Sequence, residues 1–192
     1  MKTAHILYLS YTGMTEPLGR SQVLAYLRGL AATGRYKFTI VSFENPSFFE
    51  KEKQQIARIC EEAGIEWHPI PYFNRPPALS IFRRIRAIRT KVAQLQRQTT
   101  FDLIHCRSYR AALVGLWMKK KFGTEFLFDM RGFWADERVD GGLWKLNNPV
   151  YRSLYNWFKK KEKELLAQAA HSISLTENGK QEIETWKVNG KG

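Results

Sequence analysis

AHILYLSYTGMTEPLGRSQVLAYLRGLAATG, residues 4–34, is the stretch on which the fold turns. Ala4–Ser10 is a nearly unbroken apolar run that reads as a buried strand. Ser21–Thr33 has a helical period, with Ser21 as the expected N-cap and Gly34 as the expected terminating glycine. A long glycine-bearing loop joins them, which makes the segment the first half of a βα unit. The pattern recurs. Strands are expected at Lys37–Phe43, Ile65–Ile70, Asp102–Cys106, Glu125–Asp129 and Ser172–Leu175. Helices are expected at Phe48–Ala63, Leu79–Gln98, Tyr109–Lys121, Val150–Ala169 and Lys180–Trp186. Pro69, Pro71, Pro76 and Pro77 are expected to break the chain between the third strand and the third helix. The stretch after Asp129 reads as a loop rich in glycine and aspartate. Strands spaced by helices predict an α/β fold, a single Rossmann-like doubly wound, mainly parallel sheet flanked by helices. Ligands of such sheets sit outside the carboxyl ends of the strands. That rule selects Ser10–Ser21, Phe43–Pro46, Cys106–Tyr109 and Asp129–Asp140.

Composition agrees with one globular domain. The 192 residues are 44% hydrophobic and 14% aromatic, which excludes a disordered chain. Cys60 and Cys106 are too few for a disulfide scaffold, and the four histidines have no ligand spacing, so no metal site is expected. No apolar run is long enough to span a membrane, and the N-terminus reads as a strand and not a signal peptide, so the cytoplasm is the expected compartment. The formal charge of +13 points to an anionic partner. It is unevenly placed. From Trp67 to Phe101 there is no acidic residue, while Arg75, Arg83, Arg84, Arg86, Arg89, Lys91 and Arg97 all fall there. In the helix Leu79–Gln98, residues Ile81, Ile85, Ile88, Val92 and Leu95 form one apolar stripe. Its arginines are either solvated or, for Arg83, Arg84, Arg86 and Arg89, in contact with an anionic membrane surface, where Leu79 and Phe82 could insert shallowly. The run Lys159–Lys163 is interleaved with glutamates and reads as a solvated face.

The first loop nearly matches two phosphate-binding motifs. Gly13 and Gly19 are six apart, so the dinucleotide fingerprint is absent, although Glu44 stands where a ribose-binding acid would stand. The P-loop pattern is missed by one residue, and Arg20 replaces its lysine. A binding module for a dinucleotide or phosphorylated ligand, using Gly13–Ser21 and Glu44, is therefore one reading. A basic nucleic-acid-binding domain is another, but no aromatic–basic signature supports it and nucleic acid is not the expected partner. Among residues able to carry chemistry, Asp129 closes a strand and either meets a ligand or pairs with Arg131. Arg131 could bind phosphate or carboxylate, or pair with Asp136 or Glu137. Trp134 could stack on a sugar face. Ser108 is a natural cap after Arg107. His105 reads as a core histidine.

YTGMTEPLGRSQVLAYLRGLAATG (11–34), FDLIHCRSYRAALVG (101–115), FLFDMRGFWADE (126–137) and HSISLTENGKQEI (171–183) together resemble the N-terminal domain of GT-B glycosyltransferases of family 4. The resemblance spans nearly the whole chain and is weakest over 68–98. It implies the acceptor-side half of a retaining enzyme that moves sugar from a nucleotide sugar to a glycan or lipid-linked acceptor, in cell-envelope polysaccharide synthesis. It implies no cofactor and no metal requirement. Asp129, at a His-or-Asp position of the family, would be catalytic, through sugar contact or charge stabilisation. Gly13, Met14, Gly19, Arg20 and Ser21, with Arg107, Ser108, Arg131, Trp134, Asp136 and Glu137, would bind substrate. The family's donor site lies in a second domain, with a basic pair and two glutamates. Residues 1–186 are expected to be the acceptor-side domain and 187–192 a tail or the start of a linker. The donor domain is expected to be absent, so that this chain alone transfers no sugar. At the cell membrane the protein would be peripheral, on the inner face.

Overall fold

A computed structural model describes residues 3–74 and 77–186. Arg75, Pro76 and the expected tail 187–192 lie outside the described residues. Six strands form one sheet: β1 (Ala4–Ser10), β2 (Tyr36–Glu44), β3 (Glu66–Pro71), β4 (Leu103–Arg107), β5 (Phe126–Asp129) and β6 (His171–Ile173). Their order is β3-β2-β1-β4-β5-β6, and every pairing is parallel. The doubly wound expectation is met, with the switch point between β1 and β4.

Alternation along the strands assigns the two faces. Ile6 and Tyr8 of β1, with Phe38 and Ile40 of β2, pack under α1 (Ala25–Ala31) and α2 (Pro46–Glu62). Leu7 and Leu9, with Val41 and Phe43, pack under α3 (Pro77–Gln96), α4 (Tyr109–Phe122) and α6 (Pro149–Gln168). A short α7 (Glu177–Thr185) ends the described chain. Asn45 and Asn148 cap α2 and α6, each followed by a proline at the first helical position.

The structure differs from the sequence reading in four places. β3 runs through Pro69 and Pro71, because it is an edge strand and need donate to one neighbour only. The stretch after β5 contains a helix, α5 (Trp134–Asp140), where a loop was expected. Ser21 is not an N-cap: it lies inside a π-helical turn, Gly19–Leu24, that runs into α1, and its hydroxyl donates to Pro17 O at 2.9 Å. Ser108 precedes α4 but its side chain makes no capping bond.

The π-turn begins at a close backbone approach. Gly19 packs so closely on the first loop that a Cβ there would stand 1.9 Å from Gly13 O. Gly29, in α1, has open space around its Cβ position. Gly19→Ala is expected to lower unfolding free energy by more than about 2 kcal/mol, since backbone would have to move. Gly29→Ala should raise it by about 0.5–1 kcal/mol through helix propensity. Urea titration of the two variants checks the contrast in sign.

Candidate functional site

The loop after β1 is held by one buried carboxylate. Glu44 is 1% exposed. Its oxygens accept from Met14 N (2.8 Å), Thr15 N (3.1 Å), Thr15 Oγ1 (2.6 Å) and Ser42 Oγ (2.5 Å). A ribose-binding acid would need free acceptor capacity facing a ligand; this one is committed to the protein's own donors, which removes the basis for the dinucleotide reading. Met14 is fully buried in the core, and Gly13 and Gly19 are buried as well. These three shape the loop and offer a ligand no side-chain surface. Arg20 pairs with Glu52 at 2.9 Å, directed at α2.

What the π-turn presents to the sheet is Gln22. Its Oε1 accepts from Arg107 Nη2 at 3.1 Å and from Arg131 Nη2 at 3.0 Å. Arg107 ends β4 and Arg131 lies just beyond β5, and the register of the two strands sets Arg107 opposite Asp129. Asp129 is 5% exposed. Its Oδ2 lies 3.6 Å from His105 Nε2 and 3.9 Å from Arg107 Nη1, and its Oδ1 lies 4.0 Å from Arg131 Nε. These are ion-pair distances, too long for direct hydrogen bonds. Asp129 Oδ1 and His105 Nε2 are both buried and neither has a hydrogen-bond partner. The other histidine nitrogen, Nδ1, meets Tyr26 OH at 3.0 Å. Burial drives the Tyr26 and Tyr8 hydroxyls to higher pKa, and the Asp129 carboxylate adds to both shifts. Both phenols therefore stay neutral at physiological pH.

Backbone strain marks the same spot. Ser108 has φ 75° and ψ 167°, a conformation almost confined to glycine, and Arg131 has φ 58°. Ser108 N donates to Asp129 O at 2.7 Å, which ties the ends of β4 and β5 together. The cluster thus offers an unpartnered carboxylate oxygen able to accept from a hydroxyl, beside guanidinium and imidazole groups able to meet negative charge.

The remaining expected residues lie apart from this cluster. Trp134 packs against Trp144, Phe158 and Tyr109 inside an aromatic group, so its ring is taken up by packing. Asp136 accepts from Tyr155 OH (2.7 Å) and Lys159 Nζ (2.8 Å), and not from Arg131. Glu137 and Asp136 line a cavity of about 620 Å³ between α5 and α7, whose wall also includes Met130 and Gly132 on either side of Arg131. Among the membrane candidates, Arg84 is corrected: it is 3% exposed, donates to Phe73 O at 2.6 Å and stacks on Tyr72. Its spacing explains this, since 84 falls on the stripe of Ile81, Ile85 and Ile88. Arg89 lies over Trp117, while Arg83 and Arg86 are exposed. His105, Gln22 and Tyr26 were missed. Two-residue alternation would have found His105, because 105 and 107 share a face and 107 stands opposite 129. Among the described residues no three metal-ligating side chains converge. Cys60 and Cys106 are free and buried, and burial pushes the Cys60 thiol up to about 11.

A family profile described as "Glycosyl transferase 4-like domain" matches residues 19–191. No curated protein matches the sequence. Among solved structures, the trehalose-6-phosphate phosphatase N-terminal domain of Candida albicans superposes with a TM-score of 0.57 at 11% identity. It covers 96% of this chain and 42% of that one. A ugt transferase from Siraitia grosvenorii, in complex with UDP, gives a TM-score of 0.52 at 10% identity, covering 96% and 44%. At such identities the likeness is one of fold. This chain spans less than half the length of either structure.

Ser108→Gly should relieve the strained backbone without touching a side-chain bond. Unfolding free energy is expected to rise by about 1 kcal/mol, read as a higher urea midpoint at unchanged slope.

Proposed function

The chain belongs to the glycosyl transferase 4-like domain family, and from that membership we propose that it is the acceptor-facing half of a retaining sugar transferase. The donor would be a nucleotide sugar held chiefly by a second domain, and the acceptor a glycan or lipid-linked molecule of cell-envelope polysaccharide synthesis. The observation that carries the reading is the cluster at the ends of β4 and β5. Asp129 Oδ1 is buried without a partner, and His105, Arg107 and Arg131 surround the carboxylate at 3.6–4.0 Å. In this proposal Asp129 accepts from a hydroxyl of the transferred sugar or its acceptor. It also offsets positive charge that develops at the reacting carbon. Arg107 and Arg131 meet acceptor or leaving-group charge, with Gln22 holding both guanidinium groups in place. No metal or other cofactor is assigned a role.

The protein would work in the cytoplasm at the inner face of the membrane. Support comes from the acid-free stretch 67–101, with exposed Arg83 and Arg86 on α3. No helix of the described residues is long and apolar enough to cross a membrane. Sedimentation with vesicles should rise with anionic lipid fraction and fall as salt shortens the Debye length. The double variant Arg83→Ser, Arg86→Ser should bind less without loss of stability; equal sedimentation of variant and parent would remove α3 from the membrane reading.

In an enzyme carrying this domain beside a donor domain, Asp129→Ala should lower turnover at least about tenfold, roughly 1.4 kcal/mol of transition-state stabilisation. Arg131→Ala should raise the acceptor KM more than the donor KM. Residues 1–192 alone should turn over no nucleotide sugar. Intact turnover in a stable Asp129→Ala enzyme would contradict the assignment.

A further inference from the structure

Apart from Asp129, the same rim of the sheet holds a second polar cavity, of about 280 Å³. Three of its lining residues are arginines: Arg84 on α3, Arg110 on the first turn of α4 and Arg138 on α5. Among the described residues no carboxylate lines it. None of the three forms an ion pair among the described residues. Arg84 is buried and uses one terminal nitrogen for Phe73 O and Asn74 Oδ1, leaving its Nε without a partner. Arg110 lies over the rings of Tyr11 (4.2 Å) and Trp134 (5.4 Å), and its Nε is also buried and unpartnered. Arg138 lies over Trp134 at 5.1 Å, a ring it shares with Arg110.

Ring faces offset part of the cost of burying a guanidinium group, but they satisfy no N–H. Burial, joined by the charges of Arg84 and Arg138 and opposed by Tyr11, lowers the Arg110 pKa to about 10. Arg110 is still protonated at physiological pH. Three like charges held in one concavity with unsatisfied donors form an arrangement that an oxyanion would stabilise, and the guanidinium fork matches phosphate geometry.

The cavity has a neighbour of opposite character. Leu154 lines both it and an open groove of about 390 Å³ between α3 and α6. Leu79, Phe82, Val150 and Trp157 line the groove, together with Ser153. Leu79 is 62% exposed and Val150 59%. Two exposed aliphatic side chains flanking a cationic pocket present a strongly polar end and a strongly apolar end to one ligand.

We propose that Arg84, Arg110 and Arg138 bind the phosphate or diphosphate of an amphiphile whose hydrocarbon chain lies in the groove of Leu79, Phe82, Val150 and Trp157. This deepens the acceptor-side reading by giving the acceptor a phosphate-linked lipid. It rests on that reading only in calling the ligand an acceptor. Binding is measured without sugar transfer, so either can fail while the other stands.

The probes are inorganic pyrophosphate, farnesyl diphosphate below its micelle concentration, and farnesol, titrated calorimetrically into the 192-residue chain. Farnesyl diphosphate is expected to bind at least tenfold tighter than pyrophosphate, and farnesol at least tenfold weaker than farnesyl diphosphate. Arg138→Gln, at a partly exposed position, should weaken both phosphorylated probes about tenfold. Leu79→Ser, at an exposed position, should weaken farnesyl diphosphate severalfold and leave pyrophosphate unchanged. Circular dichroism confirms that each variant is folded. Equal affinity for pyrophosphate and farnesyl diphosphate would assign the arginines to a free phosphate compound and overturn the amphiphile. Undiminished binding in folded Arg138→Gln, or no binding of farnesyl diphosphate at all, would overturn the site itself.

Discussion

One buried carboxylate organises the end of the sheet where the chemistry is proposed. Glu44 gathers two backbone N–H groups and two hydroxyls from Met14, Thr15 and Ser42. A loop of this kind leaves several amides turned inward, and unsatisfied buried donors each cost about 1–3 kcal/mol. Meeting them with one anion from β2 fixes the loop against the neighbouring strand. The fixed loop brings Gly13 O against Gly19, and the chain widens into a π-turn. That turn aims Gln22 at Arg107 and Arg131. A residue on β2 thus bears on side chains at the ends of β4 and β5, two and three strands away.

Two strained residues sit at the ends of β4 and β5, Ser108 one position beyond β4 and Arg131 two beyond β5. Neither owes its conformation to a local capping bond. The short Ser108 N–Asp129 O contact and the shared Gln22 amide hold them. Strain kept by the surrounding structure is the usual mark of a site whose geometry matters more than its stability. The same pairing of order and cost appears in the three-arginine cavity, where charge is concentrated without a carboxylate to relieve it.

Much of the fold was legible because parallel strands covered on both faces leave long apolar runs, as in HILYL and FLF. The ends of the first two helices are marked by the glycines that follow them, Gly34 and Gly64. Where reading failed, the determining partner was distant. WADERVD has no apolar period, and α5 forms because Trp134 inserts among Trp144, Phe158 and Tyr109. Glu44 is visible as an acid at a strand end, but its donors come from a loop thirty residues earlier. Asp129 could be named from its place in the chain. His105 follows from strand alternation once β4 is set against β5, whereas Gln22 reaches Arg107 and Arg131 from a π-turn that local patterns do not encode.

The edges of the sheet carry a consequence of their own. An open parallel sheet exposes unpaired backbone on its outermost strands, and such backbone can recruit strands from other chains. Here one edge is β3, in which Pro69 and Pro71 remove two amide donors. The other is β6, three residues long. A depleted ladder on one side and an abbreviated one on the other give an incoming strand little to zip onto. The fold therefore resists edge-to-edge aggregation through backbone chemistry, independently of its high positive charge.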